Sequence, residues 1–270
     1  MNDKTPNSGM IKVVLLLITC LPGVCLAERF QLVMQPVHTP ERAAEVYRPL
    51  VEYLNTSTSH DFELVTPRNF HHYWKDVRTG NYGDFAFDDA HFVDFRRQRY
   101  GYVPLVKSAE PTSFTLVAMP DTADQGLKML VGRKVVTMPS PSLGSLLLGQ
   151  WYSNPLQQPH LTSEAWSWRD AVEIVFSWDA DAAMVPTWLA QQYPNLLPMR
   201  TTDDYPGAAI TAAPTVPANV RQQVIDALLA LDENSDAYEV LVELNISRFI
   251  AASESEYNGY ESLLANSFGY

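Results

Sequence analysis

Between residues 30 and 107 the apolar and polar positions switch repeatedly between two periods. Phe30-Gln-Leu-Val-Met-Gln35 alternates and stops at Pro36, the pattern of a half-buried strand. Thr39-Pro40-Glu41 then has the composition of a helix start, and Ala43, Ala44, Tyr47, Leu50, Val51 and Leu54 recur at helical spacing. The cycle repeats. Asp61–Thr66 reads as a strand, about 69–78 as a helix ending at Thr79-Gly80, Asp84–Phe87 as a strand, Ala90–Arg97 as a helix and Tyr102–Lys107 as a strand. Such alternation implies a mostly parallel sheet covered on both faces, whose ligands collect beyond the carboxyl ends of the strands. Those ends are His38, Asn69–His72 and Asp88–His91.

Phe114–Met119 reads as a further strand and Pro120-Asp-Thr-Ala as a link, after which the alternation restarts at Leu127. Strands are predicted at Lys134–Thr137, near Met184, at Leu196–Arg200 and at Pro206–Thr211, with helices after Ser142, at Trp166–Ile174 and from about Thr187 to Gln192. A helix follows from Pro217 to Leu231, and the remainder reads as short helices. Two αβ units joined by crossings near 118 and 212 predict a clamp. Residues 28–118 plus 212–270 make one lobe and 119–211 the other, with the ligand between them.

The stretch Val135–Gln150 carries the clearest candidate chemistry. Its β-branched run, two prolines and apolar helix form a strand, a tight turn and a helix start. Hydroxyls of Ser140, Ser142 and Ser145 sit beside Leu143 and the bare backbone of Gly144, and the first N–H groups of a helix favour an anion. The same residues also suit an ordinary serine N-cap.

Composition narrows the class. Lys4 and Lys12, the apolar run Val13–Ile18 and Val24-Cys-Leu-Ala27 have the layout of a secretory signal over residues 1–27, cleaved after Ala27, which implies export to the periplasm. The apolar core is shorter than the about 20 residues of a membrane span. Both cysteines leave with the signal, so the mature chain has no disulfide, thiol nucleophile or cysteine metal site. Cleavage makes the formal charge one unit more negative than the −12 of the full chain, which argues against nucleic acid as partner. No P-loop, dinucleotide glycine turn or Gly-x-Ser-x-Gly elbow is present, and the adjacent pairs Asp88-Asp89 and Asp203-Asp204 suit turns or caps better than an acid/base couple. An enzyme and a bound cofactor are therefore not expected.

Several short motifs fall in one order. They are Tyr47-Arg-Pro-Leu-Val-Glu-Tyr-Leu54, Arg78-Thr-Gly80 before Asp84-Phe-Ala-Phe87, Gly132-Arg-Lys-Val-Val136 with Ser140-Pro-Ser-Leu-Gly144, and Ile246-Ser-Arg-Phe249 with Glu256-Tyr-Asn258. Over about 30–265 the chain resembles the periplasmic phosphonate/phosphate-type solute-binding proteins of ABC importers. The resemblance implies an α/β, two-lobed periplasmic-binding-protein-like clamp with two crossover strands and no catalysis. It also implies that the helix start at Ser140, Ser142, Leu143, Gly144 and Ser145 holds phosphonate oxygens. A monomer delivering a small anion or zwitterion to an ABC permease, or presenting it to a membrane sensor, is the expected role.

This chain departs from the family pattern at two places. Asn69-Phe70 stands where the family has Asp-Tyr, and Asp88-Asp89 with Phe92 where it has Gly-Pro and a tyrosine. Two carboxylates facing an anion would repel it, so they either cap the following helix or hold the ammonium of a zwitterion. A metal site built from His38, His71, His72, Asp88, Asp89 and His91 is the alternative use of these strand ends. Trp166, Trp168, Trp178 and Trp188 are core residues or cleft walls, with Trp178 and Tyr205 the aromatic candidates for ligand contact.

Overall fold

The computed structural model describes Met1 and residues 28–81 and 83–270. The expected signal peptide, residues 1–27, falls outside the described residues apart from Met1. Eleven strands are described, in two sheets: β1 (Arg29–Met34), β2 (Asp61–Val65), β3 (Phe85–Asp88), β4 (Val103–Ser108), β5 (Phe114–Ala118), β6 (Lys134–Val136), β7 (His160–Thr162), β8 (Ala182–Pro186), β9 (Leu197–Thr201), β10 (Ala209–Ala212) and β11 (Phe249–Ala251). The helices between them are α1 (Pro40–Thr58), α2 (Phe70–Thr79), α3 (Ala90–Tyr100), α4 (Pro120–Ala123), α5 (Leu143–Trp151), α6 (Trp168–Phe176), α7 (Thr187–Ala190), α8 (Ala218–Leu229) and α9 (Tyr238–Leu244).

One lobe is built on a sheet of order β11-β4-β10-β3-β1-β2 and the other on β7-β6-β8-β5-β9. Within each, the strands followed by crossover helices run parallel, as β1 does with β2 and β3, and β6 with β7 and β8. The crossing strands do not. β5 and β10 enter from the opposite lobe and pair antiparallel with their neighbours, so both sheets are mixed rather than mostly parallel.

Sheet membership moves both lobe limits. Phe114–Ala118, expected to close the first lobe at 118, hydrogen-bonds β8 and β9 of the second sheet. Ala209–Ala212, expected in the second lobe up to 211, pairs with β3 and β4 of the first. The pattern shows that each segment is a buried strand, because all its positions are apolar or shielded, but not which sheet recruits it. The chain therefore passes between lobes at 109–113 and 202–208, where Thr112 and Tyr205 exchange backbone hydrogen bonds of 2.9 and 2.8 Å. Gly207 makes the tight approach possible, since a Cβ there would lie 2.3 Å from Ser108 Oγ. β7 and β11 are three-residue strands that the sequence reading missed, β11 lying in the tail read as short helices.

The helices begin where their capping residues stand. Thr39 Oγ1 accepts from Arg42 N at 3.3 Å with Pro40 in the first turn, and Asn69 Oδ1 accepts from His72 N at 3.0 Å. Ala43, Tyr47, Leu50 and Leu54 of α1 are buried on the first sheet, together with Val220, Val224 and Leu228 of α8. A second apolar cluster runs from Leu116, Val135 and Val185 of the second sheet into Phe70, Tyr73, Trp74 and Phe92 of α2 and α3. It joins the lobes on one side, so the remaining interlobe space is a cleft rather than an open gap.

Candidate binding cleft

Segments following β1, β2 and β3 face segments following β6, β7 and β8, and two cavities lie between them. The larger, about 660 Å³, is walled by 35–47 and Asp89 from the first lobe, by Ser167–Arg169 and Pro186–Leu189 from the second, and by the first crossing. The smaller, about 400 Å³, lies between Arg68–Phe70 and Met138, Pro139 and Ser163–Trp166. His38 lines both. This is the strand-end position at which open α/β sheets hold ligands.

The larger chamber gathers positive charge from both lobes. Arg42 extends from the first turn of α1, where it also pairs with Glu45 at 2.9 Å and Glu243 at 3.5 Å. Arg169 stands in the first turn of α6, its guanidinium 3.4 Å from Gln192 Oε1. Burial, then Arg42, then Arg169, depress the His38 imidazole to about 4, so it is neutral at pH 7. The mouths of α1 and α6, capped by Thr39 and Ser167, open on the same space and add their dipoles.

Three carboxyl groups line the same chamber, Asp89, Glu110 and Glu243, the last paired with Arg42. Asp89 is the buried one. It occupies the N-cap position of α3 without making a side-chain cap bond. Burial raises its carboxyl to about 7, with Asp88 adding to the rise and a hydrogen bond from Gln35 opposing it. Tyr47, buried alongside, is pushed well above the usual phenol range by burial and then by Asp89.

Asp88, paired with Asp89 in the sequence argument as an ammonium site, points the other way. Its Oδ2 accepts from Arg96 Nε at 2.7 Å, Tyr73 donates its hydroxyl to Oδ1, and Arg96 also donates to the Tyr73 oxygen at 2.9 Å. Asp88 and Arg96 side chains are fully buried, so the charge is consumed inside the lobe. In the sequence Arg96 stands with Arg97 and Arg99 in a run that has the pattern of a solvated helix face.

The serine-rich mouth of α5 is sealed. Ser142 caps the helix, its Oγ accepting from Ser145 N at 3.4 Å while donating to Met138 O at 3.0 Å. Ser145 Oγ donates to Ser142 O at 2.8 Å. Both residues and Leu143 are buried, and a Cβ on Gly144 would meet Phe114 and Trp168 at 2.9–3.1 Å. From the first lobe, buried His91 places Nε2 3.0 Å from Pro141 O. Of Ser140, Ser142, Leu143, Gly144 and Ser145 only Ser140 is exposed, and none of the five lines either cavity.

The remaining candidates divide. Phe70 is buried and walls the smaller chamber. Trp178 sits with positive φ in the turn after α6, is 67 % exposed and lines neither cavity, so it is no cleft wall in this arrangement. Tyr205 belongs to the second crossing, with its ring on Tyr260 at 5.5 Å. His71 and His72 lie exposed on α2 while His91 is buried, and among the described residues no three metal-competent side chains converge. Arg42, Arg68 and Arg169, which the sequence reading did not propose, line the two cavities. The pattern Ser167-Trp-Arg-Asp170, a helix-capping sequence, is the local signal for the α6 mouth.

Two mixed α/β lobes joined by paired crossings, with a lined cleft between them, define a solute-binding clamp. Residues 32–257 match the family model described as ABC transporter, phosphonate, periplasmic substrate-binding protein, and the chain belongs to that family. It is accordingly a periplasmic substrate-binding component of an ABC transporter, in a family of binding proteins rather than enzymes. No curated protein sequence matches it. Its fold is similar to that of PhnD1 from Prochlorococcus marinus in complex with methylphosphonate, at TM-score 0.74 and 13% identity over 88% of this chain and 97% of that one. A binding protein component of an ABC phosphonate transporter from Pseudomonas aeruginosa gives 0.72 and 12% over 88% and 85%. A Xanthomonas citri protein bound to ATP gives 0.69 and 13% over 88% and 96%.

Proposed function

We propose that the protein captures a small phosphonate, phosphate-like anion or zwitterionic analogue in the larger chamber and delivers it to an ABC permease. The observation that carries this reading is the pair Arg42 and Arg169, one from each lobe, both close enough to His38 to depress its pKa. An oxyanion between them gains two charge-assisted contacts only when the lobes are together, so binding and closure are coupled. Asp89 and Gln35, on the first-lobe wall, suit the ammonium of an aminoalkylphosphonate. The chain acts as a monomer without catalysis, and its mature form begins at Glu28.

Titration calorimetry with methylphosphonate, inorganic phosphate and 2-aminoethylphosphonate tests the reading, with a rise in Tm by mass action as a second readout. Binding of at least one of the three, weakened by Arg169→Gln, is expected. No heat and no Tm shift at millimolar concentrations of all three overturns it.

A further inference from the structure

The cleft has a second chamber that a small phosphonate does not need. Two strand-end segments run along both chambers: Gln35 and Val37 line the larger and Pro36 the smaller, while Ser163 to Trp166 line the smaller and Ser167 to Arg169 the larger. His38 stands where the two meet. The larger space alone, at about 660 Å³, is already of the size that holds drug-sized ligands.

The chemistry of the smaller chamber differs from that of its neighbour. Phe70 and Met138 are buried and supply an apolar floor, and Trp166 is 58 % exposed. Glu164 lies at the same wall with its charge paired to Lys134 Nζ at 3.1 Å. A large indole left in solvent beside an apolar floor, next to a chamber that holds Arg42 and Arg169, is the surface that a flat apolar group would cover. The main chain at Trp166 is fixed by its N–H, which donates to Asp170 Oδ2 at 2.8 Å. The sealed α5 mouth gives the same direction, because an oxyanion excluded from it rests among Arg42, His38 and Arg169, one residue from the smaller chamber.

We infer that the ligand is longer than methylphosphonate: a phosphonate or phosphate monoester bearing an aryl group, its oxyanion in the larger chamber and its ring against Trp166 in the smaller. This rests on the reading of the larger chamber as the oxyanion site. Trp166 is then a specificity-determining residue that acts on the tail and not on the head.

Titration calorimetry of the full mature chain with methylphosphonate, benzylphosphonate, 2-phenylethylphosphonate and phenyl phosphate tests it. At least one aryl compound should bind about tenfold more tightly than methylphosphonate. Trp166→Ala should erase that advantage while leaving methylphosphonate affinity unchanged, and Trp166→Phe should keep most of it. Phenyl phosphate set beside benzylphosphonate separates esters from phosphonates as the source. Methylphosphonate binding with no aryl preference, or an equal loss for both ligands in Trp166→Ala, overturns the inference and leaves the oxyanion site standing. No binding by any of the four removes the oxyanion site as well, and the inference with it.

Discussion

The second lobe has two helix mouths with serine caps, and they have opposite fates. At α5, Ser142 caps the helix, Ser145 turns its hydroxyl back to Ser142 O, and His91 of the first lobe reaches Pro141 O. At α6, Ser167 Oγ accepts from Asp170 N at 3.1 Å in the same manner, yet Ser167, Trp168 and Arg169 line the larger chamber. Capping chemistry is therefore shared, and what separates a structural cap from a solute wall is the surface opposite. Leu143, Leu147 and Leu148 of α5 share one apolar cluster with Phe70, Tyr73, Trp74 and Phe92 of α2 and α3, whereas the start of α6 lines a chamber with His38, Arg42 and Asp89. Local sequence encodes the cap, whereas the facing lobe decides its use.

The comparison can be broken most forcefully at the wall that seals α5. His91 is carried by α3, and α3 is anchored through the buried Arg96–Asp88 pair. Arg96→Met leaves a carboxylate buried without its partner and should cost about 3–5 kcal/mol in denaturant unfolding. A loss below about 1 kcal/mol would mean that Asp88 is not held as an ion in the interior.

On the wall facing α6, Asp89 gives a pH-dependent test. Because burial raises its carboxyl from 3.8 to about 7, the folded chain keeps a proton that the unfolded chain has released between those values. The stability it contributes is complete below 3.8 and lost as pH rises through 7. Asp89→Asn escapes that loss, so the Tm of the variant relative to wild type should increase from pH 5 to pH 8, by an amount on the order of a few kcal/mol in stability. A pH-independent difference would contradict a buried, protonated Asp89.

Smaller effects sharpen the contrast between the mouths themselves. Arg169→Gln should weaken methylphosphonate binding about 10–100-fold, the worth of one hydrogen bond to a charged group, with little change in Tm. Ser142→Ala should do the reverse, costing about 1 kcal/mol as a lost cap while calorimetric affinity stays within about twofold. An affinity loss in Ser142→Ala as large as that in Arg169→Gln would return the oxyanion to α5.

Much of the scaffold could be read from periodicity. The helix at Thr39-Pro40, the caps at Asn69 and Ser142 and the strands at 61–65 and 85–88 all carry local signals within one turn or one alternation. What could not be read depends on partners distant in the chain. Phe114–Ala118 is apolar throughout, which suits a central strand of either sheet, and only its pairing with Ala182–Pro186 places it. Asp88 and Arg96 are eight residues apart, and nothing local says that a strand end and a helix turn will bury them together. The cavity lining shows the same limit: Ser142 stands in a serine-rich motif yet lines neither cavity, while Arg42 and Arg169, in the first turns of α1 and α6, line one chamber with His38 only after both lobes have formed.

A crystal structure of the mature protein grown with methylphosphonate would locate the oxyanion outright. The account places the phosphonate oxygens within hydrogen-bonding distance of the Arg42 and Arg169 guanidinium groups, with the Ser142 and Ser145 hydroxyls still donating to Met138 O and Ser142 O. A phosphonate seated instead on the N–H groups of Leu143 to Ser145, with His91 withdrawn from Pro141, would contradict it.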